Sequence, residues 1–265
     1  MIKSILIAFT LISSSTFQLK NINYNNKTFS MVKKYYYIEK NCQLCSSMTE
    51  SFTFTIDRIN SFLKNNPSTI ASSFIIKKKN NLNYHLTSNH VCESLYNKKV
   101  EEKEKAYIDS ILSKSFLFYE IYRDNFTIKS KVILEDLDKK EHKFLNIVEK
   151  KEKEDICIFN TKSNWGREVI FSDVDPVAGE FLYNITGVLG VRPEKNFIIF
   201  IGIYSGSKNN HTFLSTIYAK PGSSGSPVFN FDGKLVGAIH TTFEGIKNIS
   251  MSTKLSVIKN ILKSK

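Results

Sequence analysis

Apolar residues fall along this chain in short runs separated by polar turns, the rhythm of β-strands rather than of long helices. In the second half, runs at 169–171, 181–191, 197–204, 213–218, 228–229 and 235–239 each read as a strand. Their close spacing, with turn residues between, predicts an antiparallel all-β arrangement and argues against βαβ units. Earlier, residues 73–76 and 84–86 flank a Lys/Asn turn, and 132–134 with 144–148 read as a hairpin around the polar residues 136–142. Two stretches change the rhythm. Between 101 and 117, Tyr107, Ile108, Ile111, Leu112 and Phe116 recur at helical spacing, predicting a helix inserted in the first half. Leu255, Val257, Ile258, Ile261 and Leu262 predict a helix that closes the chain.

Composition narrows the class. With 265 residues, 42% hydrophobic and 23% charged, the chain can bury a sizeable core and suits one two-lobed unit. The formal charge of +12 raises nucleic acid or an anionic membrane as partners, yet only Arg58, Arg123, Arg167 and Arg192 are arginines. Phosphate readers lean on arginine forks, and here lysines scatter with asparagines through every segment, as on a solvated surface. No nucleic-acid partner is therefore expected. Lys3 precedes an apolar run at 5–12 followed by Ser13, Ser14 and Ser15, a secretory signal pattern too short to span a bilayer. An ordinary buried strand is the competing reading. No other stretch predicts a membrane helix, so stable membrane insertion is not expected and export is.

Four cysteines, Cys42, Cys45, Cys92 and Cys157, allow three pairings, among which the sequence does not choose. Cys42 and Cys45 have redox or half-zinc spacing without a second pair to complete it, so no metal is expected. Cys157, in an apolar run, reads as a small core residue.

The candidate chemistry centres on Pro221-Gly222-Ser223-Ser224-Gly225-Ser226-Pro227, a serine in a glycine turn just ahead of a strand. A nucleophilic serine needs an exposed Oγ and backbone N–H groups facing the oxyanion, and small residues permit so tight a fold. Gly222 and Ser224 would supply those donors. Two partners stand upstream: His90 ends the run Leu86-Thr87-Ser88-Asn89-His90, and Asp155 opens Asp155-Ile156-Cys157-Ile158-Phe159, where a buried strand begins. The order is His, Asp, Ser. His85, His142 and His211 lack comparable settings and read as core or surface histidines.

These blocks resemble the trypsin-like serine peptidases. Residues 71–76 and 86–91 are similar to the Gly-Ser-Gly-Phe-Ile and Leu-Thr-Asn-Asn-His-Val strands of HtrA/Deg-type proteases. Residues 155–159 resemble their Asp-Ile-Ala-Leu-Leu, and 202–205 their Gly-Ile-Val-Ser. Residues 222–230 resemble the Gly-Asn-Ser-Gly-Ser-Pro-Val-Phe-Asn of glutamyl endopeptidases. The likeness runs from about residue 51 to the C-terminus. It implies two antiparallel β-barrels of the chymotrypsin type, a C-terminal helix and a disulfide for Cys92 beside the histidine. The segments are then 1–16 as signal peptide, 17–50 as an N-terminal extension or pro-segment, 51–164 as first barrel and 165–265 as second barrel plus helix. It also implies a serine endopeptidase that needs no cofactor and takes protein or peptide substrates, with His90, Asp155 and Ser224 catalytic. A bare catalytic unit without a following PDZ domain is expected, and the oligomeric state is not readable.

For specificity, glutamyl endopeptidases carry a histidine in the strand after the nucleophile, Gly-Ile-His. Here the strand is Gly237-Ala238-Ile239-His240, one residue longer. Side chains alternate along a strand, so the slip turns His240 to the other face unless a bulge restores it. Tyr218, Ala219 and Thr242 are the other candidate pocket walls, and Tyr218 stands where the acid of trypsin would fall. Two other classes fit the composition: a catalytically silent binding protein of the same fold, and a basic secreted protein binding nucleic acid or membrane.

Overall fold

In the computed structural model, the described residues are 24–40, 50–115, 119, 126–162, 165–191, 193, 196–243, 246 and 248–263. The expected signal peptide, Cys42 and Cys45, and part of the insertion lie outside them.

Twelve strands among the described residues form two closed antiparallel barrels. The first contains β1 (Phe29–Lys40), β2 (Thr69–Lys79), β3 (Leu82–Thr87), β4 (Phe126–Glu135), β5 (Glu141–Lys151) and β6 (Ile156–Lys162). Around it they run in the order β1, β2, β3, β6, β5, β4. The second contains β7 (Phe181–Thr186), β8 (Ile198–Lys208), β9 (His211–Ser215), β10 (Pro227–Asn230), β11 (Leu235–Thr242) and β12 (Ile249–Lys254). Helix α1 (Glu50–Asn65) follows β1, α2 (Asn89–Tyr96) and α3 (Lys98–Ser115) follow β3, and α4 (Leu255–Lys263) ends the chain. Among the described residues no helix is long and apolar enough to cross a membrane.

The first barrel begins earlier than the sequence predicts. Instead of belonging to an N-terminal extension, residues 29–40 form β1, paired with both β2 and β4. Its three lysines and three tyrosines hide a strand that is buried on both faces. Lys34, fully buried, pairs with Glu104 of α3 at 2.9 Å, and Tyr36 donates to the same carboxylate oxygen at 2.6 Å. Burial, and then Glu104, push the Tyr36 hydroxyl well above its ordinary range. Ile38 packs with Ile56, Ile59 and Leu63 of α1 and Leu112 of α3, so both helices cover the outside of this strand. The insertion is accordingly two helices, and α2 starts before His90 rather than after it.

Residues 169–171 correct a second expectation. They form no strand beyond a bridge from Phe171 to Leu235. Instead they cross between the barrels: Val169 N–H donates to Ile75 O, and Leu235 N–H to Ile170 O, 2.6 Å. Between the barrels, Phe29, Met31 and Phe74 of the first share one core with Tyr183, Phe229 and Ile258 of the second. That shared core fixes the two barrels against each other.

His85 is fully buried on β3, stacked on Phe159 at 5.1 Å and hydrogen-bonded to Thr161 Oγ1 at 3.2 Å. Burial, and then the charge of His142, push its imidazole down to about 3. Its ordinary value is about 6.5, so below that pH the unfolded chain binds the extra proton. The stability it allows is complete above about pH 6.5 and lost as pH falls toward 3. We expect acidification from pH 7 to 4.5 to cost on the order of 2 to 3 kcal/mol from this residue. Urea midpoints at the two pH values measure it, and His85→Gln, which cannot charge, should flatten the slope. Equal slopes in the two proteins would exclude His85 as the cause.

Candidate active site

Ser224 lies in a turn immediately before β10, and the first barrel shapes that turn. Ser72 of β2 donates from Oγ to Gly222 O at 2.6 Å and from its backbone N–H to Ser224 O at 2.9 Å. The same Oγ accepts from Gly187 N–H at 3.1 Å, while Leu189 N–H donates to Pro221 O at 2.7 Å. With the carbonyls of 221, 222 and 224 engaged, the N–H groups of Gly222 and Ser224 have no acceptor among the described residues. Gly222 has φ +96°, and a Cβ there would run into Gly187 O. Only glycine meets both demands.

His90 sits in the first turn of α2. Its Nε2 is 2.9 Å from Ser224 Oγ and its Nδ1 is 2.8 Å from Asp155 Oδ2. Asp155 Oδ1 also accepts the His90 backbone N–H at 3.0 Å, so one carboxylate holds both the ring and the backbone that carries it. Asp155 occupies the last position of the β5–β6 turn with φ +51°, and β6 starts one residue later than expected. Burial pushes its carboxyl up, but the hydrogen bonds and charge of His90 outweigh this and hold it below the usual carboxylate range. The aspartate therefore stays ionised and sets Nδ1–H toward itself, which leaves the Nε2 lone pair to accept from the serine hydroxyl.

A disulfide fastens the two elements together. Cys92 of α2 pairs with Cys157 of β6, each two residues beyond its functional neighbour and both fully buried. Cys157 is thus not merely the small core residue expected.

Beside Ser224 and His90 opens a cleft of about 770 Å³. Of the candidate pocket walls, Ala219, His240 and Thr242 line it. Tyr218 does not: its ring packs edge-on against Phe200 at 5.6 Å. His240 reaches the cleft through an irregularity in β11, where the pairing with β12 slips between Ile239 and Thr241. This bulge offsets the extra residue in the strand. His240 Nε2 lies 3.0 Å from His211 Nδ1, so His211 is a partner of the cleft rather than an unrelated surface group. Burial, and then His211, push His240 down to about 4, against an opposing pull from Asp155. Lys220, Glu93 and Glu152 also line the cleft, and the sequence reading missed all three. Charged residues in a lysine-rich chain carry no positional signal until the fold brings them together. Ser72, also missed, lies in one of the family-like blocks, but nothing local says that it reaches the other barrel.

The profile described as a trypsin-like peptidase domain matches residues 71–237, the span from β2 to the middle of β11 and inclusive of all three relay residues. The chain belongs to the trypsin-like peptidase domain family. This membership places the domain in the hydrolase class of serine proteases. Among solved structures, the serine endoprotease from Yersinia pestis superposes with a TM-score of 0.59 at 13% identity, over 93% of this chain. The chain spans 65% of that protein's length, and at such identity the likeness concerns the fold alone. No curated protein sequence matches.

Proposed function

We propose that the protein is a serine endopeptidase in which Ser224 attacks the peptide carbonyl, His90 moves the protons and Asp155 orients His90. The observation that carries this reading is the unbroken relay Asp155–His90–Ser224, with separations of 2.8 and 2.9 Å. As Ser224 Oγ adds to the carbonyl carbon, its proton passes to His90 Nε2 and the carbonyl electrons move onto oxygen. The free N–H groups of Gly222 and Ser224 are suited to stabilise that oxyanion. On collapse the C–N bond breaks, His90 gives its proton to the leaving amine, and an acyl-serine ester remains. Water, deprotonated by the same imidazole, then releases the acid and restores Ser224.

Residue preference follows from the cleft. His240 and Lys220 lie on its second-barrel side, which supports an acidic residue before the scissile bond. His240 is neutral in the empty cleft, and a bound carboxylate would draw its proton affinity upward. Preference for Glu over its neutral isostere Gln should therefore grow as pH falls from 7 to 5. Export is part of the proposal, supported by the apolar run near Lys3 and by a disulfide of the kind that persists in oxidising compartments.

A fluorophosphonate probe, casein digestion and peptides with Glu, Gln, Phe or Ala before the cleaved bond test this together. Labelling should occur in the wild type and vanish in Ser224→Ala, and Glu peptides should be cut fastest. A folded wild type that neither labels nor cleaves would sink the peptidase reading. Cleavage with equal Glu and Gln rates would sink only the acidic preference.

A further inference from the structure

The cleft histidine is one half of a pair. His240 Nε2 lies 3.0 Å from His211 Nδ1, with the ring centres 4.8 Å apart. The two outer nitrogens, His240 Nδ1 and His211 Nε2, have no hydrogen-bond partner among the described residues, and neither is sealed from solvent. His240 lines the cleft and is 8% exposed, whereas His211, on β9, is more open to solvent. A proton placed on His240 alone is opposed by burial. The pair offers it a second resting place: a charged His211 can donate from Nδ1 to His240 Nε2, while His240 still presents Nδ1–H to the cleft.

The surrounding charges come from both barrels. Asp155 and Glu152 of the β5–β6 turn, His90 and Glu93 of α2, and Lys220 ahead of β10 share the cleft with His240. Of these, Asp155 favours a proton on His240 and His90 disfavours it. Beside His211 stand Lys208 of β8, its partner in the ladder, and Lys254 of β12, next to its other partner Thr253. Glu154 adjoins them, its carbonyl accepting from Thr253 Oγ1 at 3.0 Å.

We propose that His211 is a positioning residue for substrate recognition, acting through His240 to hold the proton with which the pair binds the carboxylate of an acidic substrate residue. This rests on the acidic preference proposed above and deepens it from one histidine to two. Empty, the neutral pair carries two protons on four nitrogens. On binding it takes a third from solvent at His211 Nε2, so that one proton faces the substrate carboxylate, one lies between the rings and one faces water. A single positive charge then meets a single negative one, and a carboxamide draws in no third proton.

The test is the ratio of kcat/KM for matched Glu and Gln peptides, in which losses common to both, the titration of His90 included, cancel. From pH 7 to 5 the ratio should rise about tenfold in the wild type. In His211→Asn and His211→Gln, which keep a hydrogen-bonding group but cannot take the proton, it should change by less than about twofold. In a His240→Asn background, adding His211→Asn should lower the ratio no further. A wild-type slope in either His211 variant, or a further loss in the double variant, would overturn the role of His211. Equal rates for Glu and Gln in the wild type at both pH values would remove the acidic preference and this proposal with it. Ring ¹⁵N shifts of Ser224→Ala titrated with the Glu peptide read the pair without turnover, and the bound complex should hold the third proton. If nothing is cleaved, the endopeptidase reading fails and this titration decides alone: no binding, or two neutral rings in the complex, overturns the proposal.

Discussion

Replacing Ser224 by alanine should lower kcat by about 10⁴- to 10⁶-fold with little change in KM, because in the proposed mechanism it removes the attacking atom and leaves the cleft intact. Asp155→Asn should cost about 10⁴-fold for a different reason. An amide would still accept the His90 backbone N–H, now 3.0 Å from Oδ1, so the loop should keep its place. Facing His90 Nδ1, however, an NH₂ group favours the tautomer that puts the proton on Nε2, where it can no longer accept from Ser224, 2.9 Å away. Single-turnover kinetics on a chromogenic peptide, with circular dichroism as a check on folding, separate the two cases. Combining the substitutions should cost hardly more than Ser224→Ala alone, since the residues act as one unit. If Asp155→Asn retained more than a tenth of wild-type kcat, the orienting role would be excluded.

The second large effect concerns stability. Cys92 and Cys157 are 65 residues apart, and the loop they close contains α2, α3, β4 and β5. Chain entropy for a loop of that length gives the disulfide about 4 kcal/mol, a large share of the stability of an ordinary domain. The double substitution Cys92→Ala/Cys157→Ala should lose roughly that amount in urea denaturation, and a loss under about 1 kcal/mol would rule the estimate out. Val91, Leu95 and Phe159 pack around the same sulfurs, so the cluster should persist while losing its covalent tie.

Five of the six strands of the second barrel were readable as short apolar runs, as at Leu235–Thr242, while β12 was not, because serine and threonine alternate with its few apolar residues. The closing helix was readable for the complementary reason, with Leu255, Ile258 and Ile261 on one buried face. Strand β1 was not, because what allows Lys34 to be buried there is Glu104, distant in sequence and unknown until the helices dock. The same holds for disulfide pairing, which depends on how α2 lies over β6. At the site, His90, Asp155 and Ser224 stand in recognisable local settings. The bulge that brings His240 to the cleft could be named as a condition but not decided, since it depends on pairing with β12. Tyr218 was misplaced because residues 216–220 leave the ladder, where alternation no longer dictates direction.

Ser72 gives the two barrels a shared fate. A single hydroxyl of the first barrel binds Gly222 and Gly187 of the second, and its own N–H binds Ser224, so the reactive loop is completed by a surface it does not belong to. Neither half of the chain carries the assembled centre alone. Turnover would then report on the seam between the halves, and anything that pried the seam open by an ångström would silence the enzyme while each barrel remained folded.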